Sequence, residues 1–212
     1  MTDTKPAEIT LSPQQRQAWV DMVTEVSAEL GMAIPPAVEF DCTSELKGAM
    51  RYDHDRDTVT IFGGWVEAAS DPQELASKAL ASHELGHRLD RERLLKRGAA
   101  LRAAYCILGI ALAVALVIGA VEAFQSSGRF GPVVPIWVLL LPFVFALLRA
   151  LLIAVVRWPD EYRADAVAAS LYGPQGVHAF LDVIGARTES RLASWLSPSH
   201  PTDRMRRARH PQ

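Results

Sequence analysis

The sequence predicts a mainly α protein with a small β-sheet, interrupted by a two-helix transmembrane hairpin. Three observations predict it. Apolar residues recur at helical spacing over residues 13–30, short strand-like segments lie between 37 and 62, and two charge-free apolar blocks lie between 103 and 156. The chain has 212 residues, 50% of them hydrophobic, and a formal net charge of −2. That near-neutral balance carries no footprint for nucleic acid, so none is expected as a partner. The cysteines, Cys42 and Cys106, lack the spacing of a disulfide framework or a metal motif.

Residues 1–11 read as a flexible polar arm with no apolar core of a cleavable signal peptide. Ser12-Pro13 supplies an N-cap and a first helical position. The helix that follows runs to about residue 30, with Trp19, Val20, Val23, Val26 and Leu30 on one face and Gly31 as its stop. Pro35-Pro36 opens a strand over 37–42. Residues 49–52 and 58–62 then form a hairpin around the polar run 53–57, and Gly63-Gly64 ends it. His54, inside that run, reads as part of a solvated turn.

Ser70-Asp71-Pro72 caps a helix over about 72–97, with Glu74 near its positive end. In its middle stands His83-Glu84-Leu85-Gly86-His87. Residues four apart leave one helix face together, so His83 and His87 can hold one zinc ion, the single cofactor expected. Glu84 then serves as general base towards water whose pKa zinc lowers to about 7.

Residues 103–121 carry no charge; about 19 residues at 1.5 Å each give about 28 Å, close to the hydrocarbon thickness of a bilayer. A polar, glycine-containing turn follows, then a second charge-free run over 130–148 that continues past Arg149 to Val156. The reading is an integral membrane protein with two spans over 101–157 and lipid as its surroundings. Arg88, Arg91, Arg93, Lys96, Arg97 and Arg102 precede the hairpin and Arg157 and Arg163 follow it, against Arg129 alone in the turn. Positive charge therefore keeps the active site and both termini in the cytoplasm. Arg149 either snorkels towards headgroups or faces the catalytic side, Trp137 and Trp158 suit the interfaces, and Pro142 kinks the second helix.

Two imidazoles need a third ligand. Asp90 and Arg93 stand where a metzincin would have its Gly and third His, which leaves Glu161, Asp165, His178, His200 and His210 beyond the hairpin. Residues 158–165 read as the start of a helix with Pro159 in its first turn. Glu161 and Asp165 share a face, so one carboxylate can bind zinc while the other orients a ligating His.

Three motifs in order resemble the HtpX-type membrane zinc endopeptidases, the group that includes the CAAX prenyl endoproteases. They are His83-Glu84-Leu85-Gly86-His87, then Glu161-Tyr162-Arg163-Ala164-Asp165 after a membrane hairpin, then Ser199-His200-Pro201 followed by Arg206. The resemblance implies a gluzincin-like metallopeptidase domain split into a part with the strands and the zinc-motif helix over 12–100 and a C-terminal part over 158–212. It implies Glu161 as third zinc ligand, Asp165 as the carboxylate behind a ligating His, and His200 as donor to the oxyanion. Arg206 would hold His200 or the substrate. It further implies peptide or protein substrates, membrane proteins in quality control among them, and a bacterial inner or cell membrane as location. The chain departs from the group in beginning without an N-terminal membrane hairpin and in carrying Lys47-Gly48-Ala49-Met50 where the group has an Asn-Ala segment. Strand 58–62, just before the zinc helix, is expected to offer a sheet edge to an extended peptide. A competing reading keeps zinc as a structural clasp in an inactive membrane scaffold or regulator; Glu84, which a structural site does not need, argues against it. A soluble protease with the apolar blocks as core is the third reading.

Overall fold

Ser12 starts the first helix as its sequence requires. Its hydroxyl accepts the Gln15 N–H, and the Gln15 side chain accepts the Ser12 N–H. This reciprocal cap satisfies donors that have no partner inside the helix. α1 (Pro13–Glu29) buries Trp19, Met22, Val23 and Val26, and Gly31 follows at φ +72°, which favours glycine. The computed structural model describes residues 10–42, 49–69, 71–125, 136–187 and 200–211. Trp137, Lys47-Gly48, Ser70, Ser199 and the turn between the apolar blocks fall on side chains or residues outside that description.

β1 (Ala37–Asp41), β2 (Met50–Asp53) and β3 (Thr58–Phe62) form one sheet in the order β1-β3-β2. β2 and β3 make the expected antiparallel hairpin, with Tyr52 opposite Val59. β1 lies parallel on the other side of β3, with Val38 opposite Val59. The expectation that 58–62 offers a free edge is therefore overturned. Thr58, Val59, Ile61 and Phe62 are all buried, the pattern of a central strand covered on both faces. The open edge beside the site belongs to β2.

Gly63-Gly64 ends β3 but also starts α2 (Gly63–Ala69), a short helix not foreseen, which sinks Trp65 into the core. The zinc-motif helix, α3 (Leu75–Leu89), is shorter than the expected 72–97. Its start is delayed because Asp71 forms a turn of its own, its carboxylate accepting the Gln73 N–H and its carbonyl the Ser77 hydroxyl. Its end comes at Asp90, whose carbonyl accepts the Leu94 N–H and opens α4 (Arg91–Gln125).

α4 has 35 residues, about 52 Å, so its first turns carry Arg91 to Arg102 before the apolar block begins. α5 (Ile136–Arg187) runs from the second apolar block straight through Pro159. Pro159 is therefore not at a helix start, and the second apolar helix and the Glu161 segment form one rod. Pro142 leaves the helical dihedrals intact; the non-helical residue in α5 is Gly173, at φ 69°. A short α6 (Asp203–Arg209), capped by the Thr202 hydroxyl, closes the description.

Arg97 pairs with Asp160, and the Arg149 guanidinium lies 5.9 Å from the centre of the Tyr105 ring. Moving up α4 thus means moving down α5, so the two helices run antiparallel. Arg149 lies over Tyr105 on the catalytic-side half of the pair. Both helices are long and apolar enough to cross a membrane, and their apolar side chains are largely exposed, Ile107 at 69% and Phe143 at 74% among them.

α3 lies at the centre, packed against α1, β2 and α5, with Ala79, Leu80, Ala81 and Leu85 buried. Small residues let α3 and α5 approach. A Cβ on Gly86 would sit 3.0 Å from the Ala164 Cα and 3.2 Å from the Val167 Cβ. We expect Gly86→Val to force the helices apart and lower stability by about 1–3 kcal/mol, read as a lower thermal midpoint. An unchanged midpoint would contradict this packing.

Candidate metal centre

The i,i+4 spacing on α3 brings His83 and His87 to one face, their ring centres 4.9 Å apart. Close packing at Gly86 sets the Glu161 segment of α5 opposite them. One donor atom from each of His83, His87 and Glu161 lies within 4.8 Å of the others. His83 Nε2 stands 3.6 Å from Glu161 Oε2, and His87 Nε2 stands 3.7 Å from Glu161 Oε1. These gaps are too long for hydrogen bonds. They are near the separation of about 3.3 Å between two donors on a tetrahedral ion with bonds of about 2.0 Å. Two imidazoles and a carboxylate are also the donor chemistry zinc takes in hydrolytic sites. Glu161 Oε2 is buried without a well-aligned hydrogen-bond donor, although His200 Nδ1 lies 3.0 Å away. The residues therefore fit a zinc ion.

His83 is held from behind. His83 Nδ1 lies 2.9 Å from Asp165 Oδ1, which turns Nε2 towards Glu161 and His87. Asp165 is fully buried and is gripped by Arg206 through Nε at 2.8 Å and Nη2 at 2.5 Å. The expectation that Arg206 holds His200 or the substrate thus gives way to a buried pair with Asp165. Thr202 caps α6 in the register that aims Arg206 inward, and Phe180 lies under the guanidinium, 5.2 Å from its carbon. Glu84 faces the same cavity, and its Oε2 accepts the backbone N–H of Tyr52 at 2.7 Å. His200 is exposed at the cavity mouth. His178 points away, its Nε2 2.9 Å from the His210 carbonyl, so neither His178 nor His210 joins the centre.

The titratable groups differ sharply. Burial pulls His83 down, but the hydrogen bond to Asp165 and the nearby Glu161 carboxylate prevail and raise it to about 9. Burial and the neighbouring His83 push His87 down to about 3. Burial raises Glu84 above the usual carboxylate range, against the pull of His83 and the Tyr52 N–H. Glu161 is held well below that range: burial opposes this, and His200 and His83 outweigh it. Asp165 is likewise lowered, with Arg206 overcoming burial.

A carboxyl depressed in the folded state stabilises fully above its unfolded pKa of about 3.9, and this is lost as pH falls towards its folded value. Asp165→Asn leaves Arg206 buried without its counter-ion. We expect it to cost about 3–5 kcal/mol at pH 7, a difference that narrows below about pH 4, read by denaturant unfolding at both pH values. A cost that is the same at both would contradict the pairing.

Several functional neighbours were not foreseen. The β2–β3 turn is tied to the end of α3: Arg88 Nε and Nη2 donate to the two Asp57 carboxylate oxygens, each at 2.7 Å, and the Tyr52 hydroxyl donates to Asp57 at 2.7 Å. Arg91 Nε donates to the His54 carbonyl at 2.7 Å. His54 is not in a solvated turn. It is half-buried, lines the cavity and stands edge-on to His87 with ring centres 6.3 Å apart. Arg88 and Arg91, adjoining the zinc motif, were the only sequence signal for this clamp.

A sequence profile of Peptidase family M48 matches residues 14–212. The chain belongs to that family, which makes it a metallopeptidase. No curated protein and no solved structure matches it.

Proposed function

From membership in peptidase family M48 and the donor set on α3 and α5, we propose that the protein is a membrane-anchored zinc endopeptidase of the HtpX type. The convergence of His83, His87 and Glu161 within 4.8 Å, with Glu84 on the same cavity, carries this reading. Zinc held by those three residues supplies Lewis acidity and a lowered water pKa. Glu84 takes the proton of the attacking water and returns it to the leaving amine. Its burial raises the carboxyl above the ordinary range, which makes it a stronger proton acceptor than an exposed glutamate. The Tyr52 N–H fixes Oε2, so Oε1 is the free oxygen. His200 donates a hydrogen bond to the oxyanion that forms as water adds to the carbonyl. Asp165 keeps the His83 ring turned for ligation, and Arg206 keeps Asp165 ionised.

The substrate adds to β2. The Phe62 N–H donates to the Ala49 carbonyl, so residues 49, 51 and 53 face β3 and residues 50 and 52 face outward. The outward groups of Met50 and the Tyr52 carbonyl lie along the cavity and can pair with an extended peptide.

α4 and α5 cross the bilayer as an antiparallel pair, with the active site and termini on the cytoplasmic side. The exposed apolar surfaces and the arginines at their roots support this. Surplus or misfolded membrane proteins are the proposed substrates. The test is cleavage of unfolded casein by the purified protein in detergent, with and without a zinc chelator. We expect chelation to abolish cleavage and added zinc to restore it. Cleavage that survives chelation would exclude the mechanism.

A further inference from the structure

The cavity that holds the centre, about 530 Å³, reaches beyond it to the roots of the two apolar helices. There its walls are Leu101 and Arg102 from α4 and Val156 and Arg157 from α5. The acids around the cavity are mostly engaged. Glu161 belongs to the donor set and Glu84 accepts from Tyr52. The Asp53 carboxylate accepts the N–H groups of Asp55 and Arg56 in its own turn. Asp160 is closed on by Arg97 at 2.5 Å, with Arg93 at 3.9 Å. Asp55 is exposed on the turn.

The two arginines differ. Among the described residues neither Arg102 nor Arg157 has an ion-pair or hydrogen-bond partner. Both are exposed on the cavity wall. His54 Nδ1 is buried there with no partner. One helix root thus contributes Arg102, the other Arg157, and the turn adds an imidazole, around one volume open to the centre. Such a wall attracts an anionic oxygen group and disfavours a cation.

We propose that Arg102 and Arg157 are specificity-determining residues, which select peptides carrying a carboxylate close to the bond to be cut. The proposal rests on the peptidase reading above. The carboxylate comes from an acidic side chain or from the C-terminus of the peptide, and apolar contacts with Leu101 and Val156 accompany it.

The test uses the full chain in detergent with zinc bound and Glu84→Gln, so that peptides bind without being cut. Fluorescence anisotropy compares twin peptides with Glu or Gln beside the scissile bond, and twins with a free or amidated C-terminus. We expect the carboxylate twin to bind about fivefold tighter, the factor for one partly exposed ion pair of about 1 kcal/mol. The pair that shows the preference identifies its source. Arg102→Gln combined with Arg157→Gln should remove the preference, and Arg157→Glu should transfer it to a Lys-bearing twin. In the chain with native Glu84 the same preference should appear in KM, with kcat little changed. Equal binding of all twins, or a preference that survives the double substitution, overturns the proposal. So does a double variant whose sole defect is weaker attachment to vesicles of anionic lipid, since the arginines would then face headgroups. Cleavage without charge preference leaves the peptidase reading intact; failure to bind or cut any peptide overturns both.

Discussion

Glu84→Gln is expected to lower kcat by about 10²–10⁴-fold, or about 3–5 kcal/mol of barrier, while zinc stays bound. The substitution keeps the shape of the side chain and its acceptor for the Tyr52 N–H. What it removes is the ability to take a proton. Glu84 contributes no atom to the His83, His87 and Glu161 set, so metal content should be unchanged. The measurement is single-turnover cleavage of a fluorogenic peptide alongside zinc analysis of the same sample. A variant that cuts at the native rate would remove Glu84 from the chemistry and favour a structural metal. A variant that loses zinc would mean that the residue acts as a ligand instead.

Glu161→Ala should have the opposite signature. It deletes the donor that α5 contributes, and two imidazoles on α3 remain. We expect zinc affinity to fall by more than about 100-fold, beyond the 10–100-fold expected for residues that only support a ligand. Activity should vanish with the metal. Because a bound ion stabilises only the folded chain, excess zinc should raise the thermal midpoint of the native protein and leave that of the variant unmoved. Competition with a chromogenic chelator gives both affinities. If the native protein and Glu161→Ala bind zinc equally, the third ligand lies elsewhere.

The first helix, the hairpin and the pairing of His83 with His87 were legible because each rests on local chemistry. Ser12 with Gln15 forms a cap within four residues, and one helical turn joins the two imidazoles. Glu161 and Asp165 were legible as partners for the same reason, although local spacing could not assign their separate roles. What failed depended on contacts distant in sequence. Nothing in 37–41 states that it lies parallel to 58–62, so β3 was mistaken for an edge. His54 looks solvated among aspartates until Arg91 takes its carbonyl and folds the turn over the cavity. Arg206 is expected on His200 or the substrate, yet the fold carries it across 41 positions of sequence to Asp165. Gly86 offered a signal that went unread. A glycine inside a helix costs about 1 kcal/mol relative to Ala, so its presence points to a close approach.

The continuity of α5 through Pro159 gives the site an unexpected mechanical setting. The apolar rod and the Glu161 donor move together, while His83 and His87 sit on α3, separated from α4 only by the break at Asp90. Arg97 with Asp160, and Arg163 with Asp90 at 3.4 Å, tie the two sides just outside the apolar segments. Geometry at the centre therefore depends on how the two long helices are held against each other.

Zinc-edge X-ray absorption on the purified protein tests the central claim most directly. A centre shared between α3 and α5 predicts four nitrogen and oxygen neighbours at about 2.0–2.1 Å, with the scattering pattern of two imidazoles. A sulfur neighbour at about 2.3 Å, or a single imidazole, would contradict it.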